Sequence, residues 1–120
     1  MTTELSIHAI YQGGMRVVAG DCNHQVTMDY PLKSDDAGAG LTPLQMLLAS
    51  LAACSANSMM AVLKRRLNQP VDGLEVETHA VRRQEHPTVL TDISLEFLVQ
   101  GHGIDPNAVS LALKLTEEQL

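Results

Sequence analysis

The chain has 120 residues, a formal net charge of −6 and 3 aromatic side chains, Tyr11, Tyr30 and Phe97. An acidic chain with no basic stripe and no stacking platform excludes nucleic acid as the expected partner. The length predicts a single domain over 1–120. The start, Met1-Thr2-Thr3-Glu4, has neither the basic region nor the apolar core of a signal peptide.

A soluble, cytoplasmic protein is therefore expected. In that compartment thiols stay mostly reduced, so the pair Cys22 and Cys54 does not imply a structural disulfide.

Leu5, Ile7, Ala9 and Tyr11 alternate with Ser6 and His8 and predict a half-buried strand. Gln12-Gly13-Gly14 predicts a turn, Met15 to Ala19 the returning strand, Gly20-Asp21-Cys22-Asn23 a second turn, and Gln25 to Tyr30 a third strand. Pro31 to Gly40 holds Lys33, Asp35, Asp36 and two glycines, which is loop chemistry.

A long helix is predicted from Pro43 to about Leu67. Thr42 can cap it, Pro43 suits the first helical position, and Gln45 completes a Thr-x-x-Gln capping box. The helix is apolar on nearly every face, through Met59, Met60, Val62 and Leu63, and Lys64-Arg65-Arg66 complements the negative end of its dipole. Its length suits a membrane, but Gln45, Ser50, Ser55, Asn57 and Ser58 interrupt it, so no membrane contact is expected. Such a helix belongs at the centre of a soluble protein or in a subunit interface, and a homodimer is expected because one short chain offers too little cover.

In the second half, Leu74, Val76, Thr78 and Ala80 alternate with Glu75, Glu77 and His79. Glu85-His86-Pro87-Thr88 predicts a turn, and Ile93, Leu95, Phe97 and Val99 mark the returning strand, which Gly101 and Gly103 break. Asp105-Pro106 opens a final helix whose inner face is predicted to be Val109, Ala112, Leu113 and Thr116. The order βββ-α-ββ-α indicates an α+β fold, with antiparallel sheets and helices gathered on one side.

Cys54 is the residue with the most chemical promise. Ser50 lies one turn before it and Asn57 and Ser58 one turn after, which sets a small polar face into an otherwise apolar helix. The plain alternative is that Cys54 is a buried small hydrophobe. A mid-helix thiol gains little from the helix dipole, so a reactive thiolate there needs a cation from elsewhere in the fold. Cys22 lies in a predicted turn and reads as an exposed, incidental thiol. The five histidines (His8, His24, His79, His86, His102) show no metal-ligand spacing with a cysteine, so no metal and no cofactor are expected.

Gly40-x-Thr42-Pro43, followed by Leu47-Leu48-Ala49-x-Leu51-Ala52-Ala53-Cys54-Ser55, resembles the central-helix signature of the OsmC/Ohr family of osmotically induced and organic hydroperoxide resistance proteins. Gly13-Gly14-Met15-Arg16-Val17 and Val26-Thr27-Met28-Asp29 resemble its N-terminal hairpin. Val76 to Arg82, His86-Pro87 and Ile93 to Phe97 resemble its second-half strands. The resemblance implies an intertwined homodimer and a thiol peroxidase acting on small organic hydroperoxides. Cys54 would attack the peroxide and become a sulfenic acid, and an external dithiol would reduce it. Ser50, Asn57 and Ser58 would line the pocket.

The departures from that pattern shape the expectation. The family's helix start commonly carries a glutamate after the proline, paired with an arginine that activates the thiol; here Leu44 and Gln45 stand there. The arginine maps onto Arg16, with Lys33 as the other cation. The family's resolving cysteine follows the last helix, so a chain ending at Leu120 is expected to lack that C-terminal segment. The alternative is a non-catalytic, dimeric binding or structural member of the family.

Overall fold

A computed structural model describes residues 2–33, 36–87 and 89–119. The elements are β1 (His8–Tyr11), β2 (Val17–Gly20), β3 (Gln25–Met28), α1 (Pro43–Met60), a π-helical segment Ala61–Arg66, β4 (Val71–Arg82), β5 (Leu90–Gly101) and α2 (Pro106–Gln119). The chain is α+β, as the order of its patterns predicts. It divides into two compact units, Met1–Leu47 and Leu48–Leu120.

The first unit is an antiparallel sheet in the order β1-β2-β3. Gly13 and Gly14 take φ of 104° and 57°, which lets the chain reverse where another residue would be strained. The second turn is built by Asp21, whose carboxylate accepts the N–H groups of Asn23 at 2.8 Å and His24 at 2.7 Å. These bonds hold the Asp21 carboxyl below its ordinary range. β1 begins later than the alternation from Leu5 predicts, and all four of its residues are exposed. As an edge strand it pairs with β2 alone, so hydrogen bonding sets its extent and its apolar side chains find no cover in the sheet.

The approach to α1 is laid along β3. Leu41 bridges Met28 in parallel register, and the Asp29 N–H donates to the Leu41 carbonyl at 3.0 Å. The Asp29 carboxylate also accepts the Ala39 N–H at 2.9 Å. Gly40 permits this close approach, because a Cβ there would run into the carbonyl oxygen of Thr27. The predicted capping box is present: the Gln45 N–H donates to Thr42 Oγ1 at 3.2 Å, and the Thr42 N–H donates to Gln45 Oε1 at 3.0 Å. Ser34 and Asp35 of the predicted loop lie outside the described residues.

In the second unit the helix widens instead of ending. Leu67 donates its N–H to the carbonyl of Val62, five residues back, at 2.9 Å. Asn68 then turns left-handed, with φ 51°, and Pro70 prevents continuation. β4 and β5 form a long antiparallel hairpin with Val76 opposite Phe97 and Glu77 opposite Glu96. Leu74, Val76, Leu95, Phe97 and Val99 are half-buried while Glu75, Glu77, His79 and Glu96 are exposed, the two-residue period of a sheet covered on one side. The turn joining the strands contains His86-Pro87, and its predicted last residue, Thr88, lies outside the described residues.

Asp105 caps α2 by accepting the Asn107 N–H at 2.9 Å, and its own N–H donates to Gln69 Oε1 at 2.9 Å. Ala112 and Thr116 are buried and Val109 and Leu113 half-buried, the predicted inner face, and Ala108 is buried beside them. The core joins Met59, Val62 and Leu63 to Val71 and Ala112, with Leu74, Phe97 and Val99 packed against it.

Gly40→Ala should lower stability by about 1–3 kcal/mol, since the added carbon forces the segment off β3. Urea denaturation checks this, and an unchanged midpoint would show that the close approach is dispensable.

Candidate functional site

Cys54 stands near the middle of α1, and its position in an unbroken helix follows from the capping box and from the absence of glycine and proline after Pro43. Within the chain it is exposed, as are Ser50 and Asn57, while Ser58 is half-buried. The helix thus brings Ser50, Cys54, Asn57 and Ser58 onto neighbouring turns, and a thiol open to a small molecule sits beside hydroxyl and amide groups. Cys54 is not core filling in this chain. The next residue, Ser55, takes that inward place and is fully buried.

Arg16 and Lys33 belong to the first unit. Arg16 leaves the hairpin turn just before β2, and its guanidinium lies 3.7 Å from the Asp29 carboxylate, with the Arg16 side chain 50% exposed and that of Asp29 12%. The ion pair borders a concavity of about 310 Å³ that Tyr30, Leu32 and Asp36 also line. Lys33 is exposed in the loop beyond it.

Asp29 is the functional candidate that the sequence reading misses. With Leu44 and Gln45 at the helix start, no acid stands where the family pattern would place one, yet Arg16 still has a carboxylate partner. The available signal was an aspartate directly after a strand, in the segment Val26-Thr27-Met28-Asp29. What the pattern could not convey is its burial: Asp29 is 8% exposed. A carboxylate in that setting holds its place by the Ala39 N–H and the Arg16 charge together.

Cys22 is exposed in the Asp21 turn, as expected. In the same turn the Asp21 carboxylate and the His24 ring lie 3.3 Å from each other.

Comparison with known proteins supplies the family. The OsmC-like protein family matches residues 34–119. The Escherichia coli K12 protein YhfA is 31% identical over 96 residues, covering 80% of this chain and 68% of YhfA. An OsmC-like protein from Mycoplasma pneumoniae superposes with a TM-score of 0.81 at 20% identity, covering 99% of this chain and 84% of that one. The organic hydroperoxide resistance protein OhrB of Bacillus subtilis superposes with a TM-score of 0.62 at 18% identity, covering 95% and 83%. The extent of the family match and the identity to YhfA establish that the chain belongs to the OsmC-like family.

Proposed function

We propose that this protein is a thiol peroxidase that reduces small organic hydroperoxides in the cytoplasm, with Cys54 as the attacking group. The observation that carries the reading is the exposure of Cys54 within the polar stripe Ser50, Asn57 and Ser58 of an otherwise apolar helix. The hydroperoxide resistance role named for the Bacillus subtilis protein of the same fold supports it.

The chemistry is a two-electron oxidation of sulfur. The Cys54 thiolate attacks one peroxide oxygen, the O–O bond breaks, and the alcohol departs after taking a proton, leaving a sulfenic acid. An external thiol condenses with the sulfenic acid and releases water. A second thiol then displaces Cys54 from the mixed disulfide, so a dithiol reductant leaves as its disulfide. Within these 120 residues Cys22 is the only other cysteine, and it is held in an exposed turn of the other unit.

We assign the cation that favours the thiolate to Arg16, positioned by Asp29, with Lys33 as the competing choice. The second reading is a non-catalytic binding or structural member, favoured by Leu44 and Gln45 at the helix start.

Both readings place a second copy of the chain against α1. Only Ser55 and Met59 of that helix are buried, and Leu47 remains 57% exposed. Pro43–Arg66 is also long and apolar enough to cross a membrane. The polar residues along it favour a protein partner.

Cys54→Ser should abolish consumption of cumene hydroperoxide under a dithiol, while Cys22→Ser leaves it intact. The reverse would remove the assignment. If intact mass shows no oxygen gain after one equivalent of peroxide, the non-catalytic reading stands. Arg16→Gln should slow Cys54 oxidation at least about tenfold near pH 7, with Lys33→Gln unchanged. An effect of Lys33→Gln alone would transfer the role, and no effect of either would dispense with a cation.

Light scattering in detergent-free buffer should give about twice the chain mass of 13.0 kDa. A folded monomer would exclude the dimer. Solubility only in detergent would favour a membrane.

A further inference from the structure

The outward face of the β4–β5 hairpin carries a group that peroxide chemistry at Cys54 does not use. Glu77 on β4 stands directly opposite Glu96 on β5. His79 lies two residues farther along β4, on the same face. Like charges placed directly opposite each other on neighbouring strands repel and weaken the sheet. A cation between the two carboxylates would relieve that repulsion.

The geometry brings a third donor to the pair. His79 Nε2 lies 3.6 Å from a carboxylate oxygen of Glu77. One donor atom from each of Glu77, His79 and Glu96 lies within 4.8 Å of the others. A tetrahedral ion with bonds of about 2.0–2.2 Å needs its donors about 3.5 Å apart, so small side-chain rotations close the set. All three side chains are exposed, which leaves the ion a path in and positions for water. Glu77 and Glu96 also border an open concavity of about 460 Å³, lined further by Glu75, Val76 and Leu98.

We propose that Glu77, His79 and Glu96 bind a first-row divalent transition cation, with Zn²⁺ as its representative. An imidazole with two carboxylates suits such an ion, whereas Mg²⁺ and Ca²⁺ favour all-oxygen sets. Because the donors come from both strands, the ion clips β4 to β5 across their middle. The local sequence spacing expected no metal. The trio escapes such a search because Glu96 reaches the others only through strand pairing.

The test uses the full chain, free of any affinity tag, as the Cys22→Ser/Cys54→Ser variant, so that thiols do not compete for the metal. Titration calorimetry with ZnCl₂ should show one ion per chain. Zn²⁺ should raise the melting temperature by several degrees and Mg²⁺ should not, because binding to the folded state alone stabilises it. His79→Ala and Glu96→Gln should each weaken Zn²⁺ binding at least about tenfold. Glu96→Gln should also raise the melting temperature in chelator, where only the repulsion remains. Both side chains are exposed, so neither variant tests folding. No binding at millimolar Zn²⁺, or binding that survives both substitutions, overturns the proposal. So does binding lost instead with His8→Ala, His24→Ala or His102→Ala. The result is independent of peroxidase activity.

Discussion

An α-helix that is apolar on nearly every side has to be covered, and α1 finds little cover inside its own chain. Residues past Met59 are held by the second-unit core, through Val62 and Leu63 against Val71 and Ala112. Upstream, from Leu47 to Cys54, the helix is half-buried or exposed. This unequal covering shapes the rest of the molecule. It calls for a firm start, which the capping box and the Gly40 approach to β3 supply. It also leaves Cys54 on a stretch where the chain itself does not bury the thiol.

The position of the cysteine gives the family resemblance its chemical content. Two thiols of the same chain stand in opposite settings. Cys22 sits in a water-exposed turn shaped by a carboxylate that accepts backbone N–H groups. Cys54 sits on a rigid helix among hydroxyl and amide neighbours, on a surface otherwise made of Leu and Ala. On the proposed function, the helical backbone at Cys54 would hold the thiol in a fixed orientation toward a bound peroxide. A turn offers no such frame.

The parts of the fold governed by local periodicity were legible in the sequence. The alternation in β4 and β5 named the buried side of the hairpin except at Ile93, which is exposed, and the spacing Val109, Ala112, Leu113, Thr116 named the inner face of α2. The cap at Thr42 and Gln45 was legible because a capping box is completed within four residues. Contacts that join distant residues were not. Asp29 meets Arg16 only after β2 and β3 pair, and Glu96 faces Glu77 only in the register of the hairpin. The first strand was overread because an alternating pattern reports what a strand can bury, whereas an edge strand buries only what a neighbour covers. At the site, Cys54 and its polar neighbours could be read from helical spacing, while the carboxylate partner of Arg16 required the three-dimensional fold.

The π-helical segment Ala61–Arg66 has a consequence for how this helix can vary. Each bond to the fifth residue back takes up one residue more than the ordinary helical ladder. The angular phase of the residues that follow the segment is therefore offset from that of the residues before it. Ser55, Met59, Val62 and Leu63 face the core at ordinary helical spacing, so the extra residue acts beyond them, between Leu63 and the left-handed Asn68. The widened turn thus sets the exit of the helix toward β4 and leaves the thiol stripe and the core anchors on one shared register. In this way one continuous helix couples its two faces: a rotation that retuned the stripe would also move the anchors.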